Sequence, residues 1–192
     1  MKKLLGITLI ALFLLSLAAC GGNGNSGGRG SQLAFQQMRD NHTGAIVSLG
    51  DNISVFHEAF GEGELYSEGG IWFLGQERVR TKLYRFMDGA LTATFREDDN
   101  TALRFDLVLP LEEAREGRFE TFEVALDMHR DDIITLESFM GMQWDLGGSV
   151  VRNLSADGVL NSGMIARVGS YTVMITGEDD IAVGIMLTVG RD

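Results

Sequence analysis

The chain has 192 residues, of which 45% are apolar and 22% charged, with a formal net charge of −11 and a single cysteine. Its apolar content is typical of a globular protein and excludes a wholly disordered chain. The acidity disfavours nucleic acid as a partner, and one cysteine excludes a framework of internal disulfides.

The segment 1–19 has the organisation of an export signal. Two lysines precede an apolar run from Leu4 to Ala19, which is too short to predict a membrane-spanning helix. The run ends in Leu17-Ala18-Ala19-Cys20, which resembles the lipobox of bacterial lipoproteins. In that family the cysteine thiol receives diacylglycerol and the leader is removed just before it. The resemblance therefore implies a signal peptide over 1–19 and lipid attachment at Cys20.

Residues 20–31 combine this cysteine with a linker of glycine, asparagine and serine. Such residues bury too little apolar surface to become ordered, and ten of them reach roughly 17 Å. We therefore expect a folded part that is held close to the extracytoplasmic face of the cell membrane. An ordinary secretory leader with an incidental cysteine is the alternative.

The segment 31–110 aligns with the segment 111–190 without a gap. Identical residues are few, but equivalent positions follow the same pattern. The segments Asp51–Gly61 and Asp131–Gly141 each predict a short amphipathic helix, with aspartate as the N-cap and glycine after the last turn. We expect both helices to depend on packing against a sheet.

Alternating apolar and polar residues follow each predicted helix. The segments 91–95 and 103–109 predict antiparallel strands with one covered face, and 171–175 and 183–189 predict the same in the second half. The sequence therefore predicts an α+β fold of two tandem repeats, each a short helix packed on an antiparallel sheet. The repeats would cover 32–110 and 111–192. A single α+β domain with coincidental symmetry is the alternative.

The order of these elements resembles small bacterial envelope modules. The features that carry the resemblance are a strand, Leu49-Gly50-Asp51, a helix that ends in Phe60-Gly61, and a meander of strands. They are similar to β-lactamase-inhibitor-protein-like and SmpA/OmlA-like proteins, and the stretch 126–141 carries the same likeness in the second half. Those proteins act by binding other proteins, so the resemblance implies a binding module and not an enzyme.

Few residue patterns point to chemistry. The densest group of potential metal ligands is Asp127, His129, Asp131 and Asp132. We interpret it as acidic residues that oppose a helix dipole, and we predict no metal site, no cofactor and no catalytic residue. One alternative is an envelope-acting hydrolase with carboxylates such as Glu58 or Asp131 in a cleft, and another is a small-molecule or metal-sensing domain.

Aromatic residues are the remaining candidates for function. Tyr66, Trp72 and Phe73 lie in a glycine-rich segment, and Trp144 follows the second predicted helix. Aromatic side chains supply many binding hot spots, although burial in a core is the alternative. We therefore predict a lipid-anchored extracytoplasmic binding or scaffolding module for an envelope protein or polymer, with these four residues as possible binding residues. Its membrane contact would be the N-terminal lipid.

Overall fold

A computed structural model of the protein describes residues 33–74, 77–140 and 162–189. The predicted signal peptide, Cys20, the linker and Trp144 lie outside the described residues. The described residues belong to one compact unit, Gln32–Asp192.

Antiparallel strands dominate this unit, and its helices are short. In chain order the elements are β1 Gln37–Asp40, β2 Ile46–Ser48, α1 Ile53–Phe60, β3 Glu64–Leu74, β4 Glu77–Phe86, β5 Leu91–Arg96, β6 Ala102–Val108, α2 Leu111–Ala114, β7 Phe119–Thr121, α3 Arg130–Ile133, β8 Ser162–Val168, β9 Tyr171–Glu178 and β10 Ile181–Val189. The predicted combination of helices and antiparallel sheet is confirmed, with a larger share of strand than the sequence indicated.

The strands form two sheets. A three-stranded sheet has the order β2-β1-β7, and a seven-stranded sheet has the order β3-β4-β5-β6-β10-β9-β8. All neighbours in both sheets are antiparallel. Because β6 pairs with β10, strands from both halves of the chain form one continuous sheet. The expectation of a separate sheet for each half is therefore wrong.

The largest hydrophobic cluster lies against one face of the seven-stranded sheet. Phe56 of α1 is fully buried, and its ring centroid lies 5.1 Å from that of Phe95, 5.7 Å from Phe105 and 6.0 Å from Phe86. Met38 and Val47 of the three-stranded sheet join the same cluster. Alternate residues of β5 are buried, which explains the period of two in its sequence.

The start of α1 differs by one residue from the prediction. Asn52 is the N-cap, and its side-chain Oδ1 accepts a hydrogen bond from the backbone N–H of Ser54, with 3.1 Å between the oxygen and the nitrogen. Asp51, the predicted cap, accepts the N–H of Ser48 at 2.7 Å and stabilises the turn before the helix. Gly61 ends α1 with φ of 83°, a conformation that glycine adopts without strain, so the predicted C-terminal glycine is confirmed.

The predicted helix from Asp131 to Gly141 is wrong in its length and in its cap. Helix α3 ends at Ile133 after one turn, a 3₁₀ turn follows at Glu137–Phe139, and Gly141 lies outside the described residues. The cap is His129, whose side chain accepts the N–H of Asp131. The Thr135 hydroxyl donates to the carbonyl of Asp132 at 2.7 Å, and such local bonds compete with helix propagation.

The glycine-rich stretch after α1 forms β3, a long strand that the sequence did not predict. Its alternation is interrupted by register shifts between Leu65 and Ser67 and between Glu68 and Gly70. Each shift inserts one extra residue, so apolar side chains on the two sides of a bulge fall out of phase. A search for period-two alternation therefore misses this strand.

The turns before α1 and α3 bind the hairpins before β6 and β10 with the same three backbone hydrogen bonds. In the first half these are Gly50 N–H to Ala102 C=O, Ala102 N–H to Asp51 C=O and Ile53 N–H to Asn100 C=O. In the second half they are Asp127 N–H to Ala182 C=O, Ala182 N–H to Met128 C=O and Arg130 N–H to Asp180 C=O. All six distances lie between 2.7 and 3.0 Å.

Candidate functional site

Strand β3 lies at one end of the seven-stranded sheet, where it pairs with β4 alone. The β4–β5 pairing begins at Thr81 and Arg96, whereas β3 pairs with β4 as far as Leu74 and Glu77. The last residues of β3 and the first of β4 therefore extend beyond β5 as a two-stranded ribbon. This placement leaves β3 more accessible than the central strands.

Three of the four predicted binding residues lie on β3. Tyr66 is 54% exposed and Phe73 is 45% exposed, whereas Trp72 is half-buried. Trp72 faces Val79 across the sheet and Phe73 faces Arg78, so the two adjacent aromatic side chains lie on opposite faces. The structure thus brings Tyr66, Trp72 and Phe73 to one strand, while Trp144 lies outside the described residues.

Two further residues of this surface were missed by the sequence analysis, Leu65 and Ile71, which are 43% and 44% exposed. With Tyr66 and Phe73 they make up what we call the β3 surface. Seven large apolar side chains are exposed in the described parts of the chain, and four of them form this surface. Single exposed apolar residues are normal on a protein, but a cluster on one strand marks an interaction site.

Leu65, Ile71 and Phe73 of the β3 surface lie on the face of the sheet that carries α1, whereas the ring of Tyr66 contacts Arg85 of the opposite face. Ile71 pairs with Arg80 and Phe73 with Arg78, and these arginines share the face of Tyr84 and Phe86, which contact α1. Helix α1 contacts Tyr84, Phe86, Phe95 and Phe105 of this face. Ile71 and Phe73 lie beside two guanidinium groups, and their side chains are 44% and 45% exposed among the described residues.

Two glycines determine how β3 approaches its neighbour. Gly69 has φ of 74°, which other residues adopt only with strain, and it occupies the second bulge. A Cβ on Gly70 would lie 2.6 Å from the Thr81 hydroxyl, so a larger residue here would require the Thr81 side chain or β3 to shift. These glycines of the glycine-rich segment therefore take part in the strand pairing.

Arginines lie close to the aromatic residues of β3. The guanidinium carbon of Arg85 lies 3.5 Å from the ring centroid of Tyr66, a cation–π contact that fixes the ring. Arg80 Nε lies 3.0 Å from Glu97 Oε2, and Arg96 pairs with Glu77 at 2.9 Å. An open depression of about 480 Å³ lies among Arg78, Arg80, Arg96 and the neighbouring carboxylates.

Arg78 and Arg80 are the cations of this ribbon that are most available to a ligand. Arg78 is exposed and forms no ion pair with another residue that the structure describes. The Arg80 side chain is 70% exposed despite its contact with Glu97. Guanidinium groups recognise carboxylates by paired hydrogen bonds, so this arrangement fits an acidic ligand beside an apolar one.

The buried ring nitrogen of Trp72 adds a polar feature. Its Nε1–H is buried and donates to no acceptor among the described residues. A buried donor without a partner is costly, and native proteins contain few of them. On the opposite face from Phe73, the ribbon therefore carries a donor that is unused by the described chain.

The predicted acidic group near α3 has structural partners. His129 caps α3, and Asp131 lies 3.3 Å from Arg130 in an exposed ion pair. Burial raises the pKa of Asp127, as expected for a carboxyl without a cation beside it. Within the described ranges, no group of three or more histidine, cysteine or acidic side chains is placed to hold a metal ion.

The alternative catalytic carboxylates are not brought together at the depressions beside β4. One depression is lined by residues 77–80 and 96–98, and the other, of about 520 Å³, by residues around Phe60, Arg85 and Gly89. Neither Glu58 nor Asp131 lines either depression.

None of the described helices has the length and apolar character needed to cross a membrane.

Comparisons with known proteins give little further information. No protein-family model matches the sequence, and no curated protein matches it. Among solved structures, the chain is similar to a cysteine-rich secretory protein from Staphylococcus aureus, with 10% identity and a TM-score of 0.39. The similarity covers 73% of this chain and 43% of that one, so the chain spans less than half of that protein's length. No conclusion about fold or function rests on this likeness.

Proposed function

We propose that the protein is a lipid-anchored, extracytoplasmic binding module whose β3 surface contacts an envelope protein or polymer. The observation that carries the proposal is the concentration of exposed apolar side chains on one edge strand. Folding gains nothing from leaving such side chains in water, whereas association gains roughly 25 cal/mol for each Å² of apolar surface buried. The β3 surface is therefore the part of the described chain best suited to binding.

The anchoring part of the proposal rests on the sequence. The lipobox motif ends at Cys20, and the glycine-rich linker over 21–31 separates it from the compact unit. A single acyl chain gives only marginal membrane binding, so two or more chains are expected on the mature N-terminus. An anchor of this kind would hold the β3 surface near the membrane, where it meets envelope partners at high local concentration.

We also propose that the compact unit arose from two tandem repeats. The three recurring hydrogen bonds at the starts of α1 and α3 support this, and so do matching register shifts in β6 and β10. The extra residue of these shifts is Leu103 in β6 and Val183 in β10. These two positions are equivalent in the ungapped alignment of 31–110 with 111–190.

The strand pairing between the two halves supports the same proposal. Asp106 faces Met186, its equivalent in the sequence alignment, at the centre of the β6–β10 pairing. When a residue pairs with its own equivalent, a local two-fold axis passes between the two residues. The pair on one side of that axis is then made of residues equivalent to those of the pair on the other side. The pairs Leu107–Ile185 and Phe105–Leu187 behave in this way.

An experimental structure tests the repeat proposal directly. The superposition should match β4, β5 and β6 with β8, β9 and β10, and α1 with α3. The match has to allow the equivalent turns to differ in length, because Gly50 aligns with Arg130 in the sequence whereas its hydrogen bond recurs at Asp127. If the two sets of strands followed different paths, the repeat proposal would be wrong.

Two measurements test the function. The mature protein should incorporate an alkyne-tagged fatty acid, and Cys20→Ala should abolish both this label and flotation with membranes. A photo-reactive residue at Phe73 should then form a discrete cross-link to one envelope component in the producing bacterium. The same residue at Glu112, on exposed α2, is the control. Equal cross-linking from both positions, or none from Phe73, would contradict the proposed binding surface.

A further inference from the structure

The two parts of β3 differ in how their free edge is protected. Residues 64–69 carry both bulges and two acidic side chains, Glu64 and Glu68. Bulges and charges are the features by which natural edge strands avoid pairing with other chains. Residues 70–74 carry none of them, and their register with β4 is regular. Only this second part is suited to accept another strand.

The backbone of this segment is available for pairing. Strand β3 has β4 as its only neighbour in the sheet order, and its remaining edge forms no backbone hydrogen bond to any other residue that the structure describes. Every second residue of an edge strand directs both its N–H and its C=O towards the free edge. A segment of Gly, Ile, Trp, Phe and Leu, without proline or charge, has the composition of strands that readily pair with an added strand.

The charges beside this edge indicate which strand it would accept. Arg78 and Arg80 lie on β4, directly opposite Phe73 and Ile71 of β3, and their side chains lie on the same face of the sheet. Neighbouring strands are about 4.8 Å apart, so a strand added to β3 would lie about 9.6 Å from β4, a gap that an extended arginine and a glutamate on the same face span together. A second copy that paired through the same edge would present residues 70–74, which carry no carboxylate, and so would leave Arg78 and Arg80 without acidic partners.

We propose that residues 70–74 of β3 bind an extended, acidic segment of a partner protein as an additional strand of the sheet. The carboxylates of that segment lie on the face of Ile71 and Phe73, with their methylene groups against these side chains and their oxygens toward Arg78 and Arg80. The alternate apolar side chains of the segment lie on the opposite face, beside Trp72. This inference rests on the proposed binding function and specifies the chemistry of its partner. Backbone pairing supplies the docking mode, and the two arginines supply the preference for acidic side chains.

Binding of two model peptides tests the proposal with the full lipidated chain in detergent. One labelled peptide alternates valine with glutamate, and its counterpart alternates valine with lysine. We expect about fivefold tighter binding of the glutamate peptide, with a preference that falls as salt increases, because exposed charge pairs are weak and screened. Hydrogen exchange should show new protection in β3 on addition of this peptide.

Charge-reversed variants separate recognition from folding. Arg78→Glu combined with Arg80→Glu should invert the preference towards the lysine peptide, an outcome that mere loss of structure does not produce. Arg115→Glu, which reverses an exposed arginine after α2, is the matched control and should leave the preference unchanged.

Three results would overturn the inference. The first is equal binding of both peptides, and the second is protection of β3 that rises with protein concentration in the absence of peptide, which would identify a second copy. The third is protection by phosphatidylglycerol vesicles in place of the peptide, which would identify a membrane surface. If Phe73 cross-links to a partner while the peptides bind equally, this inference fails and the proposed binding function stands.

Discussion

The carboxylate of Asp40 is fully buried and lies 2.7 Å from Nη2 of Arg118. Arg118 Nε donates to the same carboxylate at 3.1 and 3.2 Å, and the N–H of His42 donates to it at 2.9 Å. Asp40 ends β1 and Arg118 precedes β7, so the ion pair joins adjacent strands from opposite halves of the chain. This contact connects the two halves outside the main sheet.

Replacing this carboxylate should destabilise the protein in a pH-dependent way. Burial by itself raises the pKa of Asp40, but hydrogen bonds from Arg118 and His42 outweigh it and leave the pKa below its ordinary value. The ionised Asp40 carboxylate therefore stabilises the folded state fully above the unfolded pKa of about 3.9, and this stabilisation is lost as pH falls through the folded pKa. We expect Asp40→Asn to lose about 2–3 kcal/mol at neutral pH and to approach the wild type in acid.

Urea unfolding at neutral and acidic pH measures this difference. Asp98→Asn is a suitable control, because Asp98 is 73% exposed and lies 3.4 Å from Arg96. An exposed ion pair contributes at most about 1 kcal/mol. An Asp40→Asn variant as stable as the wild type at neutral pH would show that the buried pair contributes no net stability.

A reciprocal exchange at Gly50 and Asp127 tests the equivalence of the two halves. Gly50 has φ of 90° and Asp127 has φ of 98°, and their N–H groups donate to the equivalent carbonyls of Ala102 and Ala182. Only glycine adopts this backbone conformation without strain. Asp127→Gly should raise stability by about 1 kcal/mol, and Gly50→Asp should lower it by about as much.

The pH dependence separates strain from charge in this exchange. Desolvation raises the pKa of Asp127 although its side chain is exposed, so its ionised form destabilises the fold slightly at neutral pH, and this penalty disappears once pH falls below the unfolded value. The gain from Asp127→Gly should therefore be larger at neutral pH than in acid. Thermal unfolding at both values measures it, and a loss of stability in Asp127→Gly would contradict the proposed equivalence.

The local signals in the sequence predicted the fold where each element has regular alternation. Strands β5, β6, β9 and β10 were predicted from period-two patterns, which in β5 reflect one covered face, whereas β6, β9 and β10 also bury residues of their other face. The helix at 53–60 was predicted from its apolar stripe, and Phe56 of that stripe is fully buried. These elements depend on interactions within a few residues, which a sequence pattern reveals.

The pairing of β6 with β10 and the extent of β3 could not be predicted in this way. Whether two similar halves form separate sheets or one continuous sheet depends on contacts between residues far apart in the chain, such as Asp106 and Met186. The exposed stripe of Leu65, Ile71 and Phe73 was hidden because bulges at Tyr66 and Gly69 shift its phase. The aromatic residues of this site were found by their chemistry, whereas its arginines were found only through their register with β3.

The two phenylalanines Phe56 and Phe73 should respond in opposite ways to the same substitution. Phe56 is fully buried among three other phenyl rings, so Phe56→Ala should lose about 3–5 kcal/mol of stability through lost burial and the cavity left behind. Phe73 is 45% exposed, so Phe73→Ala should change stability by less than about 1 kcal/mol. Its effect should instead be weaker cross-linking of the partner by a photo-reactive residue placed at Ile71. Equal destabilisation by both substitutions would show that Phe73 belongs to the core.

A double substitution at Gly184 and Thr176 tests the packing beside the centre of the main sheet. A Cβ on Gly184 would lie 3.0 Å from the carbonyl oxygen of Leu107 and still closer to the Thr176 hydroxyl, so Gly184→Ala should lose about 1–3 kcal/mol. The Thr176 hydroxyl is buried and has no hydrogen-bond partner among the described residues, so Thr176→Ala loses little favourable polar interaction. Because the hydroxyl is the nearer obstacle, Thr176→Ala should recover about 1 kcal/mol in the Gly184→Ala background. Chemical denaturation of the four proteins gives this coupling free energy, and additive effects would mean that the Leu107 carbonyl alone excludes the larger side chain.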